Sequence, residues 1–161
     1  MKIALDACVL IYLAKANLLY SFYKHFNELY IDQEVYNEVI TNGKEKGYGD
    51  AILVEVFIDE FQIPVISVDI QAELADFRDP GETSTFIISK DKLALTNDIR
   101  AYKKLRVKGS KCLVLDSFII MAVLENLLDK ETAKEWLKLL NDANALSNKV
   151  YNEATNRLEV I

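Results

Sequence analysis

Short apolar runs alternate with longer amphipathic stretches along this chain, and that alternation limits the folds open to it. KIALD (2–6), LYI (29–31), PVISV (64–68), LALTN (93–97) and KCLVLD (111–116) read as strands. The stretches between them carry helical spacing. Residues 8–27 form two helices with Asn17 as a cap between them, and Asp32 is a good N-cap for QEVYNEVI. TNGKEKGYGD holds three of the five glycines and reads as the clearest loop. Helices are expected over 51–60, 70–77 (ended by the turn RDPGE), 83–90 and 99–107, the last closed by Gly109. Ser117 is placed to cap FIIMAVLENLL, and KETAKEWLKLLNDAN is a further helix before a polar tail with no assigned element. Repeated strand–helix units of this length predict an α/β fold with a mostly parallel sheet covered on both faces.

With 161 residues, 51% of them hydrophobic, the chain suits one compact domain. A core over about 1–128 is expected, with a C-terminal helix and tail over 129–161. No apolar run reaches the roughly 20 residues that a bilayer span needs, so no membrane partner is expected. The opening Met1-Lys2-Ile3 runs straight into a strand, which makes a cytoplasmic location the expectation.

Two cysteines, Cys8 and Cys112, and one histidine, His25, argue against a zinc site of the usual Cys/His kind. His25 lies on a helix-like segment and no Gly-x-Ser-x-Gly turn occurs, which argues against Ser-His-Asp catalysis. A net charge of −6 opposes broad, non-specific nucleic-acid binding. It is compatible with an acidic cluster that a metal fills, and equally with a basic protein partner.

Four acidic residues sit at the edges of apolar runs: Asp6, Glu38, Glu82 and Asp98. Asp6 and Asp98 each end a strand and precede a helix, a position that suits both an N-cap and a ligand at the strand-end crevice. Glu82 follows Pro80-Gly81 at a helix start, where an acidic residue also complements the helix dipole. Capping does not account for Glu38, inside a helix, although a solvated face does. If the four converge, unpaired carboxylates would repel and take up protons, so a divalent cation is the natural complement. Oxygen donors without histidine match Mg²⁺ or Mn²⁺ and metal-dependent chemistry on a phosphate.

These segments resemble the motifs of the PIN-domain ribonucleases, especially the toxin-like members of VapC type. LDACVLIYLAKANLL is similar to the family's first motif, DQEVYNEVI to the second, PGETSTFIIS to the Gly-Glu form of the third, and LTNDIRAYKKL to the fourth. They follow in the family's order over residues 1 to about 120. The resemblance implies a three-layer α/β/α PIN-like domain with a central, mostly parallel sheet. It also implies Asp6, Glu38, Glu82 and Asp98 as catalytic, metal-binding residues for Mg²⁺ or Mn²⁺. Cys8 stands where the family often has Ser, Thr or Asn; a packed core thiol is the other reading of it. Thr83, Thr96 and Asn97 are candidates to orient the carboxylates.

The implied reaction is hydrolysis of an RNA phosphodiester, leaving a 5′-phosphate and a 3′-hydroxyl. Arg100, Lys103 and Lys104 open the one dense basic stretch, which continues through Arg106, Lys108 and Lys111, and they are the candidate RNA contacts. The resemblance further implies a small antitoxin protein and a homodimer as partners. The stretch Leu19, Tyr20, Phe22, Tyr23 and Phe26 suits either a partner groove or an ordinary core face. Two rival readings are a PIN-like interaction module without catalysis and a Mg²⁺-binding receiver-like domain. The receiver lacks support, because IALDACV has no acidic pair and no strand ends in Lys.

Overall fold

The computed structural model describes residues 1–71 and 80–161. Five parallel strands form one sheet in the order β3-β2-β1-β4-β5. They are β1 (Ile3–Leu5), β2 (Leu29–Asp32), β3 (Val65–Ile66), β4 (Leu93–Leu95) and β5 (Cys112–Leu113). Ile3, Ala4 and Leu5 are wholly buried. Such a run without alternation is what a strand covered on both faces requires.

From β1 the chain winds outward through β2 to β3, then returns to β4 on the other side of β1. The seam between β1 and β4 is therefore a topological switch point, where the crevice of an open α/β sheet forms. Leu5 pairs with Leu95 there, and Asp6 N–H donates to the Leu95 carbonyl at 3.0 Å. The residues that follow, Asp6 and Thr96, emerge side by side.

One face of the sheet carries α1 (Ala7–Lys15), α2 (Leu19–His25), α5 (Gly49–Phe61) and α8 (Leu115–Leu124). The opposite face carries α6 (Pro80–Ile88) and α7 (Ile99–Val107). There a smaller cluster of Ala94, Leu105 and Cys112 packs with Phe86 and Tyr102. The result is the three-layer α/β/α arrangement expected from the sequence.

The main core is closed by aromatic packing. Phe22 lies 5.6 Å from Phe118 and 5.7 Å from Trp136, and Phe26 lies 4.8 Å from Phe118 between ring centroids. Trp136 belongs to α9 (Lys130–Asp142), which packs with α10 (Asn148–Val160) against α8. Burial of each such side chain contributes about 1.5–3 kcal/mol, so both C-terminal helices are structural parts of the core. Ser147 caps α10 by accepting from Val150 N–H, a signal present in the tail.

Several local expectations are corrected. Asn17 takes φ 55° just after α1 and ends that helix, whereas α2 has no side-chain cap. The glycine-rich 41–50 stretch is largely helical. Residues 33–45 run through α3 (Gln33–Tyr36), a π turn (Asn37–Thr41) and α4 (Asn42–Glu45). Gly43 serves packing here: a Cβ would meet the Ala51 Cβ at 2.8 Å, so α4 approaches α5 only with glycine. Of the expected RDPGE turn, the described part is helical from Pro80, whose fixed φ suits a first helical position, and 78–79 lie outside the described residues. Ser117 lies within α8 rather than before it. The helix expected over 70–77 falls mostly outside the described residues.

Candidate active site

A cleft of about 150 Å³ opens at the switch point, lined by Asp6, Cys8, Glu38, Glu82 and Asp98 with Ala7, Gly81 and Ala101. The four carboxylates come from four separate elements. Asp6 follows β1, Glu38 lies in the π turn after β2, Glu82 is in the first turn of α6, and Asp98 follows β4. A wider groove of about 700 Å³ beside His25 and Trp136 is larger, yet it lacks this convergence of carboxylates. Chemistry, not size, singles out the smaller cleft.

Asp6 caps and faces the cleft at once. Its Oδ1 accepts from Ala7 N–H at 2.8 Å, and its Oδ2 accepts from Thr96 Oγ1 at 2.6 Å and Cys8 Sγ at 3.3 Å. A carboxylate has about four lone-pair sites, so these bonds leave room for a further ligand. Burial pushes the Asp6 pKa above its ordinary value, and the nearby Asp98 charge adds to this; the Thr96, Cys8 and Ala7 bonds oppose it.

Asp98 is the N-cap of α7, its Oδ1 accepting from Arg100 N–H at 2.6 Å and Ala101 N–H at 3.3 Å. Its own N–H donates to Thr96 Oγ1 at 3.1 Å. Thr96, fully buried, therefore holds two of the acidic positions with one hydroxyl. Cys8 does similar work: Asn97 N–H donates to its sulfur at 3.0 Å while the thiol points to Asp6. Burial, reinforced by the Asp6 charge, pushes the Cys8 thiol up to about 12, so it stays protonated and remains a donor.

Glu38 is exposed at the cleft rim, and Glu82 is ion-paired with Lys104 of α7. Glu38 lies in the π turn Asn37–Thr41, a kind of turn frequent at functional sites. Asn97 sends its side chain away from the carboxylates, donating from Nδ2 to the Ala145 carbonyl at 2.6 Å. Thr83 is buried and does not line the cleft. Arg100 and Lys103 are exposed on α7.

One contributor beyond the sequence assignments is Asp32. Expected only as a cap, it is wholly buried: Oδ1 accepts from Val35 N–H at 2.8 Å and Oδ2 from Thr85 Oγ1 at 3.3 Å, with Ser84 also bonded. It thereby fastens the helix bearing Glu38 to the helix bearing Glu82. The strand-end Asp followed by a helix was visible in the sequence; its partners on α6 were not.

Among the described residues no three acidic, histidine or cysteine side chains already stand within common coordination reach. The donor set nonetheless fits Mg²⁺ or Mn²⁺, being all carboxylate oxygen at the cleft with the sulfur engaged as a protonated donor. Lys104 pairs with Glu82 at one edge of the cleft and offsets part of its charge.

Among families, the DUF3368 model, a PIN domain, matches residues 2–160. No curated protein and no solved structure matches the chain.

Proposed function

Because the chain belongs to the PIN-domain family, a nuclease-type fold, we propose that it is a Mg²⁺- or Mn²⁺-dependent endoribonuclease hydrolysing RNA phosphodiester bonds. The observation that carries this reading is the meeting of Asp6, Glu38, Glu82 and Asp98 in one cleft at the β1–β4 switch point. A divalent ion bound there supplies a more acidic water and charge neutralisation on the phosphate.

The protein's part is positioning. Asp6 and Asp98 are held by strand ends, helix starts and the Thr96 hydroxyl, so they are fixed before substrate arrives. Glu38 and Glu82 are the adjustable arms. Lys104 offsets the charge of Glu82 and, when displaced from it, is placed to meet a phosphate oxygen. Arg100 and Lys103, exposed on the same helix, are the candidate contacts for flanking phosphates.

A role as the toxin of a pair with a small antitoxin protein, homodimer formation and a cytoplasmic location belong to the same proposal. No described helix is long and apolar enough to cross a membrane. The test is cleavage of a mixed structured and single-stranded RNA pool with Mn²⁺ or Mg²⁺, beside Asp6→Asn and an EDTA control. Metal-dependent cutting lost in Asp6→Asn supports the nuclease. No cutting, with no metal detected by calorimetry, would leave an interaction module on a PIN fold.

A further inference from the structure

The seam between α6 and α7 has two chemically opposite ends. At the N-terminal ends of both helices lies the acidic cleft, with Glu82 and Ala101 on its wall. At their C-terminal ends a second recess of about 250 Å³ is lined by Phe86, Ser89, Lys90, Lys108, Ser110 and Lys111. The Ser89 and Ser110 hydroxyls, both buried, lie 3.2 Å apart on its inner side. Phe86 packs on the Leu105 cluster and carries Lys90 Nζ at 5.6 Å from its ring centroid. Gly109, at φ 85°, turns the chain from α7 toward β5 and brings Lys108 and Lys111 to the same recess.

Three exposed lysines gather around this one recess in a chain of net charge −6. Complementing the helix dipoles accounts for Lys90, in the short turn after α6, and for Lys108, the C-cap of α7. It does not account for Lys111, which lies beyond α7, or for the hydroxyl-lined hollow between them. Convergent ammonium groups around a hollow suit a phosphate.

We infer that this recess is a phosphate subsite for single-stranded RNA, filled by one phosphate while another of the same strand lies at the acidic cleft. The inference rests on the nuclease reading and names how the substrate lies. From Glu82 to Lys90 the helical rise is about 12 Å. At roughly 3.4 Å per stacked nucleotide that is three to four nucleotides. Lys104, paired with Glu82, stands along this path. A strand lying on the seam would thus pass from carboxylates through Lys104 to the lysine recess.

The test compares Lys90→Gln/Lys108→Gln/Lys111→Gln with a charge-matched control, Lys130→Gln/Lys138→Gln/Lys149→Gln, on the C-terminal helices. Binding of a labelled oligouridylate of about twelve nucleotides is followed by fluorescence anisotropy over a range of salt, all proteins carrying Asp6→Asn. Cleavage of the same strand is followed with native Asp6. Losing the three ammonium groups around that one phosphate should weaken binding by about tenfold. It should also flatten the salt slope by about 0.7, the value for one neutralised phosphate on a single strand, with the control close to the parent. Unchanged affinity and slope in the recess variant, while the unmodified chain cuts RNA, would remove the subsite and leave the nuclease standing. Lysine-dependent binding of inorganic phosphate with RNA affinity untouched would overturn it too. If the unmodified chain neither binds nor cuts RNA, the nuclease reading falls and this inference with it.

Discussion

Thr96 Oγ1 donates to Asp6 Oδ2 at 2.6 Å across the β1–β4 seam and itself accepts from Asp98 N–H at 3.1 Å. One buried hydroxyl thus fixes two acidic positions whose sequence separation is large. The bond to Thr96 opposes the upward push that burial gives the Asp6 pKa. Thr96→Val keeps the shape and removes both bonds, so the Asp6 pKa should rise further. Protons and metal compete for this carboxylate, hence the acid limb of Mn²⁺-dependent cleavage should move to higher pH. Leaving Asp98 N–H without its acceptor should also cost about 1–3 kcal/mol in stability. A pH–rate profile beside a urea melt reads both; an unmoved acid limb would sever Thr96 from the chemistry.

Asp6→Asn should separate stability from function. Because the native pKa of Asp6 lies above its ordinary 3.8, the native state holds the proton more tightly than the unfolded chain. This contribution is fully present below 3.8 and is lost as pH rises through the native pKa. At neutral pH without metal, Asp6→Asn is therefore expected to stabilise by about 0.5–2 kcal/mol, as relief of a strained site commonly does. Saturating Mn²⁺ should reverse the order, adding about 2.7 kcal/mol to the native-Asp6 protein at a hundredfold excess over Kd. Thermal melts with and without Mn²⁺ decide this, and equal metal response in both proteins would contradict it.

The two thiols should be inert in the folded chain. Burial pushes Cys8 and Cys112 each up to about 12, so little thiolate exists near pH 8. Ellman's reagent at that pH should react slowly with native protein and rapidly with both thiols in guanidinium. Cys8→Ala should lower cleavage by about tenfold, since it removes the link from Asn97 N–H through sulfur to Asp6. Fast labelling of Cys8 in the native state would show a more open first turn of α1.

The sheet and most helices were legible because apolar runs and caps are local signals. Asp6 and Asp98 were legible for the same reason, as strand ends before helix starts. Local signals misled where packing overrode composition. The glycines of 41–50 suggested a loop, yet Gly43 is there to let α4 meet α5 at close range. Asn17 suggested a cap between two helices; it ends the first at positive φ and gives the second no side-chain cap. Glu38 illustrates the deeper limit, because it lies in a π turn that ordinary helical periodicity does not encode. Asn97 shows the reverse: the residue was noticed, but its side chain serves the Ala145 carbonyl far along the chain.

Asp32 offers the sharpest check on how the adjustable arms are held. Its two oxygens tie Val35 N–H, at the start of the Glu38 helix, to Thr85 on the Glu82 helix. Burial raises its pKa first and foremost, with the Ser84, Val35 and Thr85 bonds opposing. Asp32→Asn keeps an oxygen for the cap and an amide beside the hydroxyls, so it should fold with little loss. Asp32→Ala removes the cap, worth about 1 kcal/mol, and strands buried hydroxyls at about 1–3 kcal/mol. A combined loss of about 2–4 kcal/mol is expected. Where Asp32→Ala still folds, cleavage should fall chiefly through kcat, because the exposed Arg100 and Lys103 remain in place for RNA. A loss confined to KM, with kcat preserved, would mean that Glu38 and Glu82 keep their places without Asp32.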